Sequence, residues 1–386
     1  MPRDPQGTAA ARLRAGDRPG RRITALLLLD GSALPRGAVT PPPPLALGLI
    51  GPGAWGAHYI RTISTMAGIR LTRIAGRRPE RLRPYADQGY NIAHHWRELI
   101  EADDLDGVIV ATPTSTHADI VRAAIRRRLP VIVEKPLTLD PGEAAELLEE
   151  ARAHHATVLV DHIHLHNPAW HALKEALAAD AAPIHHITAI AGRRGPFRRD
   201  TPVLWDWGVH DAAMLLDLLG RPPERVDCRI TPDPPGELVE LLLTFPEGIS
   251  ASVTVGNNLQ RRMRRFTVHT DRQSLCFDDT LPQKLWRLPP ASEQAGAQAP
   301  PTGGRALPHP RQAPLIRLLD HFAARIRAGQ SDWSDLQLAR AVTGLLHRCQ
   351  LQAVDARNGA MPPSPALFDR RQAKRPWTDV LRSDRK

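Results

Sequence analysis

From residue 45 onward, short apolar runs alternate with longer amphipathic stretches. The runs fall at 45–50 (LALGLI), 71–75, 107–111, 131–133 and 157–160. Between them, stretches near 54–67, 79–87, 95–101, 115–127 and 140–154 place apolar residues at helical spacing. Strands that are apolar on both faces and joined by helices predict a doubly wound parallel sheet with right-handed crossovers. After about residue 168 the pattern changes. Runs at 184–191, 238–245, 250–255 and 266–270 are strand-like and bounded by Gly, Pro and Asn-Asn turns, which predicts a mostly antiparallel, open sheet. One helix, 211–219, interrupts it, and two long ones near 314–327 and 334–356 close it. The chain thus reads as an α/β domain over 45–165 followed by an α+β domain over 166–360. Residues 290–313 are rich in Pro, Gly and Ala and read as a mobile loop.

Composition adds little to that picture until it is divided along the chain. The chain has 386 residues, 42% hydrophobic and 24% charged, which suits two globular domains. A formal charge of +10 points first to nucleic acid or a membrane surface. Residues 1–44 carry +4 and residues 370–386 carry +5, so the body between them is nearly neutral at +1. The expectation is a disordered basic extension over 1–44, ending in the stiff prolines 41–44, and a basic tail over 361–386. Arg21-Arg22 precede an apolar run, but that run is seven residues long and ends at Asp30. This argues against export and for an extension or an early start. Cys228, Cys276 and Cys349 are widely spaced and odd in number, which excludes a disulfide framework and suits a cytoplasmic, reducing compartment. No apolar run approaches the ~20 residues of a membrane span.

Gly51-Pro52-Gly53-Ala54-Trp55-Gly56 fits G-x-G-x-x-G, directly after a strand and at the start of a helix. In that context the first Gly makes the tight turn and the second admits a pyrophosphate. The third lets helix pack on strand, and the helix N-terminus faces the phosphates. This is the fingerprint of a Rossmann dinucleotide-binding domain. An acid near the end of the second strand would hold the ribose 2′-hydroxyl of NAD. Here Gly76 is followed by Arg77 and Arg78, which favour the 2′-phosphate of NADP over NAD.

Thr112-Pro113 end the fourth strand, His117 opens the next helix, and Glu134-Lys135-Pro136 end the fifth strand. Open α/β sheets bind ligands at such carboxyl ends, so these residues join the glycine turn as cofactor-side candidates. Lys135 stands out in a chain with five Lys and 46 Arg, because Lys can shift its pKa and exchange protons where Arg cannot. Asp206 and His210 are four apart in WDWGVHD, so one helical turn would put both on one face, carboxylate beside imidazole. Asp211 is the alternative partner for that helix.

The set GPGAWG, IVATPTSTHADI, VEKPLT, HNPAWHALKEAL and LWDWGVHDAAMLLDLLG resembles the glucose–fructose oxidoreductase/inositol dehydrogenase (Gfo/Idh/MocA) family over about residues 45–360. The HNP and LWD…HD segments look most like members acting on nucleotide-linked amino sugars. The resemblance implies hydride transfer between NAD(P) and a carbinol of a sugar, nucleotide sugar or cyclitol, in a homo-dimer or tetramer. It implies that His210 is the general base and that Lys135 stabilises the alkoxide. Asp206 would orient His210 or grip a neighbouring hydroxyl, and the Lys135–Pro136 bond is often cis in the family. The segment His162-Ile163-His164-Leu165-His166-Asn167 departs from relatives. Three alternating His would share one strand face. That could suggest a metal, but the family chemistry needs none, so no metal is expected. His162, His164, Asn167 and Arg198 are instead candidate substrate contacts. The rival readings are a dinucleotide-binding sensor or partner subunit without turnover, and nucleic-acid binding through the tails, Arg126–Arg128 and the RRMRR run at 261–265. With 4% aromatic residues and no reading helix, no nucleic-acid partner is expected.

Overall fold

The computed structural model describes residues 42–198, 201–290, 303–329 and 331–357. The basic extension up to residue 41, the basic tail over 361–386 and residues 291–302 of the Pro/Gly/Ala-rich stretch lie outside them. The first half is built of six strands, β1 (Leu45–Ile50), β2 (Ile69–Ala75), β3 (Asn91–Ala93), β4 (Gly107–Val110), β5 (Val131–Glu134) and β6 (Val158–Asp161). Five helices alternate with them: α1 (Ala54–Ile63), α2 (Pro79–Ala86), α3 (Trp96–Ile100), α4 (His117–Arg126) and α5 (Pro141–His154). The strands are all parallel, in the order β3-β2-β1-β4-β5-β6. Every residue of β4, β5 and β6 is buried, as the unbroken apolar runs require of a sheet covered on both faces. The order reverses between β1 and β4, which opens the ligand crevice at their carboxyl ends.

The second half begins with α6 (Pro168–Asp180), capped by the Asn167 side chain and started by Pro168. Its sheet has eight strands: β7 (Ile184–Arg194), β8 (Arg225–Asp233), β9 (Gly236–Thr244), β10 (Ser250–Gly256), β11 (Asn258–Thr270), β12 (Ser274–Asp278), β13 (Leu285–Leu288) and β14 (Arg305–Ala306). Their order is β14-β13-β12-β11-β7-β10-β9-β8, antiparallel except where β10 runs parallel to β7. On one face this sheet packs α6 and α7 (Val209–Leu219) around a core that includes Trp170, Trp205, Phe266 and Phe277.

Strands β8, β12, β13 and β14 are additional to the expected runs, and two segments that bear candidate site residues differ from the sequence expectation. The helix expected to begin near 211 starts earlier, because a π-helical turn over Leu204–Gly208 runs into α7. The expected histidine-bearing strand is a 3₁₀ turn, Ile163–His166. His162, His164 and His166 therefore do not share a strand face, and no group of three or more His, Cys, Asp or Glu is poised to hold a metal among the described residues.

The last two helices, α8 (Pro314–Ala328) and α9 (Ser334–Arg357), do more than close the second sheet. Leu318, Leu319 and Phe322 of α8 enter the core of the first sheet beside Leu47, Ile74 and Ile109. A Cβ at Gly107 would come 3.0 Å from the Phe322 ring, so the glycine makes room for that helix. Leu336 and Ala339 of α9 pack on the first half, and Val342, Leu345 and Leu346 on the second. Periodicity marks an apolar stripe but does not say which core it meets. All three cysteines are buried, and no disulfide joins them. No helix among the described residues is long and apolar enough to cross a membrane.

Candidate active site

The glycine turn joins β1 to α1. Gly51 has φ +93°, and a Cβ there would meet the Ala111 carbonyl oxygen at 2.6 Å, which excludes any side chain. A Cβ on Gly56 would collide with the Gly51 carbonyl. Gly53, by contrast, has nothing within 4 Å of a would-be Cβ, so the space over it is open. The first turn of α1, Ala54-Trp55-Gly56, has neither a side-chain cap nor an acidic residue, which leaves its free N–H groups for an anion. Trp55 is largely exposed at the mouth of this turn. Arg77 and Arg78 are exposed just past β2, and neither guanidinium is in an ion pair among the described residues. These features fit a dinucleotide pyrophosphate and its ribose.

The loops after β4 and β5 are fastened together by His117. Its ring, 1% exposed, lies 2.9 Å by Nδ1 from the Pro136 carbonyl and 2.9 Å by Nε2 from the Thr112 carbonyl. Burial pushes this imidazole below its usual range. Thr116 donates to the Thr112 hydroxyl at 2.8 Å, while Pro113 is exposed beside them. The Lys135–Pro136 peptide is cis.

Lys135 reaches across to the second half. Its Nζ donates to the Asp206 carbonyl oxygen at 2.6 Å and to Asp206 Oδ1 at 3.0 Å, with the lysine side chain 8% exposed. Arg198 Nη1 lies 3.6 Å from the same Oδ1. Asp206 therefore serves two cations, and no hydrogen bond links it to His210 among the described residues. The π turn explains this. Its wider winding separates the i and i+4 positions that an α-helix would align.

His210 instead packs its ring edge against His164, with centroids 4.9 Å apart, and its Nδ1 is buried without a partner. Burial first, then the charges of Lys135, His164 and Arg264, hold His210 well below the ordinary imidazole range, so the ring is neutral. His164 is depressed for the same reason. His162 is 3% exposed, with both ring nitrogens unpartnered and its pKa lowered to about 4 by burial. Asn167 spends its side chain on the α6 cap and on Asp279, to which Nδ2 donates at 3.1 Å.

The structure thus joins Lys135, Asp206 and Arg198 in one set of contacts and packs His210 against His164, while Asn167 and His162 are buried. The alternative helix partner, Asp211, is fully buried and takes both its oxygens to Arg264 Nη1 at 2.8 Å. Arg265 is likewise buried against Asp278. Two of the four arginines in the RRMRR run are therefore internal ion pairs, not surface charge. Sequence reasoning also missed Tyr59, whose hydroxyl donates to Asp161 Oδ2 at 2.6 Å in the interior. A tyrosine on the inner face of α1 requires such a partner, and that was the available signal.

Two family profiles match this chain: "Oxidoreductase family, NAD-binding Rossmann fold" over residues 45–162 and "GFO/IDH/MocA C-terminal domain" over residues 183–276. A crystal structure from Magnetospirillum magnetotacticum MS-1, described as that of an oxidoreductase, shares 37% identity with a TM-score of 0.70. The match covers 79% of this chain and 99% of that one. An inositol 2-dehydrogenase of Saccharopolyspora erythraea is 34% identical over 192 residues, 48% of this chain and 57% of its own length. A UDP-N-acetylglucosamine 3-dehydrogenase of Acidithiobacillus ferrooxidans is 34% identical over 129 residues, 33% of this chain and 39% of its own. The matched part spans about half the length of the curated relatives or less. With an NAD(P)-binding Rossmann half, an eight-stranded second sheet and both family domains in order, the chain belongs to the Gfo/Idh/MocA oxidoreductase family.

Proposed function

We propose that this chain is an NAD(P)-dependent dehydrogenase or reductase that interconverts a carbinol and a carbonyl on a sugar, nucleotide sugar or cyclitol, with NADP preferred. The observation that carries the reading is the Lys135–Asp206 pair beside the neutral ring of His210. Asp206 occupies two of the three ammonium N–H bonds and leaves the third for a substrate oxygen. When bound, the nicotinamide supplies the hydride acceptor or donor. Lys135 then stabilises negative charge on the carbinol oxygen at a fixed position, which is the electrostatic part of the catalysis. His210, uncharged and with an unpartnered nitrogen, takes the hydroxyl proton in the oxidative direction and returns it in the other. Arg198, against Asp206, and His164, against His210, are assigned to the neighbouring hydroxyls of the substrate. The glycine turn with Thr112, Pro113, His117 and Glu134 is assigned to the cofactor side. The inositol and nucleotide-sugar relatives support the substrate class. A cytoplasmic homo-oligomer completes the reading.

The test is turnover by the purified full-length chain, followed through nicotinamide absorbance, with nucleotide sugars, free hexoses and inositols and with both cofactors. Lys135→Ala and His210→Ala should each lower kcat by about 10²-fold or more while the cofactor Kd stays within twofold. Substrate-dependent turnover that survives both substitutions would show that the assigned roles are wrong.

A further inference from the structure

We propose that the arginines gathered where β11 breaks its pairing with β7, Arg193, Arg194, Arg261 and Arg262, seat the phosphate of a phosphorylated substrate, a nucleotide-linked sugar or a sugar phosphate. The inference deepens the proposed function and rests on it for the carbinol that reacts, not for the phosphate seat.

Strands β7 and β11 run antiparallel, but their register breaks between Asn258 and Met263, so residues 259–262 stand against Arg193 alone. The extra residues are anchored from beneath, because Leu259 and Met263 are buried with Ile190 and pack on Leu238. Two glycines leave room for that anchor. A Cβ on Gly192 would meet Leu259 Cδ1 at 2.9 Å, and one on Gly256 would meet Leu259 Cδ2 at 3.1 Å. Between the anchors Gln260, Arg261 and Arg262 are exposed, and Arg193 and Arg194, which end β7 across from them, are exposed too. Among the described residues Arg194, Arg261 and Arg262 have no ion pair, and Arg193 spends only Nε, on the Gly195 carbonyl at 3.0 Å. Guanidiniums gathered without an acid repel one another, and a single carboxylate would answer only one of them. A phosphate carries up to two charges on several oxygens, and its geometry matches the guanidinium fork.

The seat adjoins the reacting groups from two sides. Arg262 lines a cavity of about 420 Å³ with Asp279, Thr280, Leu281 and Pro282. The one acid in that lining, Asp279, is already held by Lys284 and by Asn167 Nδ2 at 3.1 Å. Two residues before it, the Phe277 ring lies 6.3 Å from that of His164, which packs on His210. Strand alternation also puts Arg262 on the face of Arg264, whose partner Asp211 follows His210. From the other side, the loop after β7 carries Arg198 to within 3.6 Å of Asp206. Next to Arg198, Phe197 is 40% exposed over Gly236, a flat face that a nucleobase can stack on.

Calorimetry on the full-length chain with saturating NADP tests the seat without turnover, with UDP and glucose 1-phosphate as probes. At least one should bind, and Arg193→Glu/Arg262→Glu, at two exposed positions, should weaken it at least about tenfold. Arg126→Glu/Arg128→Glu makes the same change of charge on and just after α4. It should leave the Kd within about twofold, which separates a local seat from the field of the whole molecule. UDP bound more tightly than glucose 1-phosphate marks the nucleotide-linked source, and Phe197→Ala should then remove the difference. Glucose 1-phosphate bound as tightly or more tightly marks the sugar phosphate. Either order supports the seat. Three results overturn it: neither probe binds, the Kd is unchanged in Arg193→Glu/Arg262→Glu, or a single-stranded RNA oligonucleotide binds more tightly than UDP and loses that binding in the same variant. A chain that binds a probe here yet transfers no hydride sinks the proposed function and leaves the seat standing. One that oxidises free sugars or cyclitols and binds neither probe does the reverse.

Discussion

Gly76, Arg77 and Arg78 follow the second strand of the nucleotide half without a carboxylate. A would-be Cβ on Gly76 lies 3.2 Å from Pro52 Cδ and 3.1 Å from Leu82 Cδ2, so this corner is packed directly against the glycine turn. The residues that follow present two exposed guanidiniums without an ion pair among the described residues. A phosphate offers them charge-assisted, bidentate bonds, and a bare hydroxyl does not. We expect the double variant Arg77→Ala/Arg78→Ala to lower the NADP-over-NAD ratio of kcat/KM by at least about tenfold. Gly76→Asp should push the ratio further toward NAD, at the cost of a few tenths of an ångström of movement by Leu82 and Pro52. If the ratio is unchanged in the double variant, the NADP preference is wrong. The exposed placement of these two arginines was legible in the sequence because it depends only on their place after a strand. The partner of Asp206 was not. The spacing to His210 suggested an imidazole, but the side chain turned to Lys135, 71 positions away, because a π turn lies between them.

At the scale of single elements, the sequence marked helices and strands by period and lost them where the local rule was broken. The central parallel strands were plain as unbroken apolar runs. The three-residue β3, the four-residue β13 and the edge strand β14 were too short to show a period. Strand β11 explains why the RRMRR run was misleading. Arg264 and Arg265 alternate to opposite faces of a strand buried on both sides. Each then needs an acid, and they find Asp211 on α7 and Asp278 on β12. The Arg264–Asp211 pair is 3% and 1% exposed, and burial still raises the Asp211 carboxyl despite the arginine beside it. Such a pair contributes little net stability, but removing one partner strands the other charge. Arg264→Met should therefore cost about 3–5 kcal/mol in chemical denaturation. Arg264→Met/Asp211→Leu should recover most of that loss. A single variant as stable as the wild type would mean that the pair does not hold α7 to the sheet.

Over the whole molecule, α9 packs on both sheets, so the two halves share one helix and are joined by it as well as by the Lys135–Asp206 contact. The fold class was readable because each sheet advertises its own period. The shared helix was not, since one amphipathic stripe fits either core. A shared core also means that buried titratable groups in both halves unfold together, and histidines dominate them. Burial lowers His162 and His269 to about 4 and His166 to about 3, and places His164 and His210 well below the usual range. Their unfolded value is about 6.5. A group depressed in the folded state binds its proton first in the unfolded chain, so the stability it contributes is complete above pH 6.5 and is lost as pH falls below it. A histidine shifted from 6.5 to 4 costs about 2 kcal/mol at pH 5. Glu134, Asp161 and Asp211 act in the opposite sense. Their raised values mean that the folded chain binds protons more readily, which stabilises it as pH falls. The strongly depressed histidines outnumber these carboxyls, so the balance between pH 6.5 and 5 is a net loss. The thermal midpoint of the full chain should fall by several degrees over that interval. A midpoint that holds steady or rises between pH 6.5 and 5 would mean that these rings are charged or solvated in the folded protein, and with it the neutral His210 base would be lost.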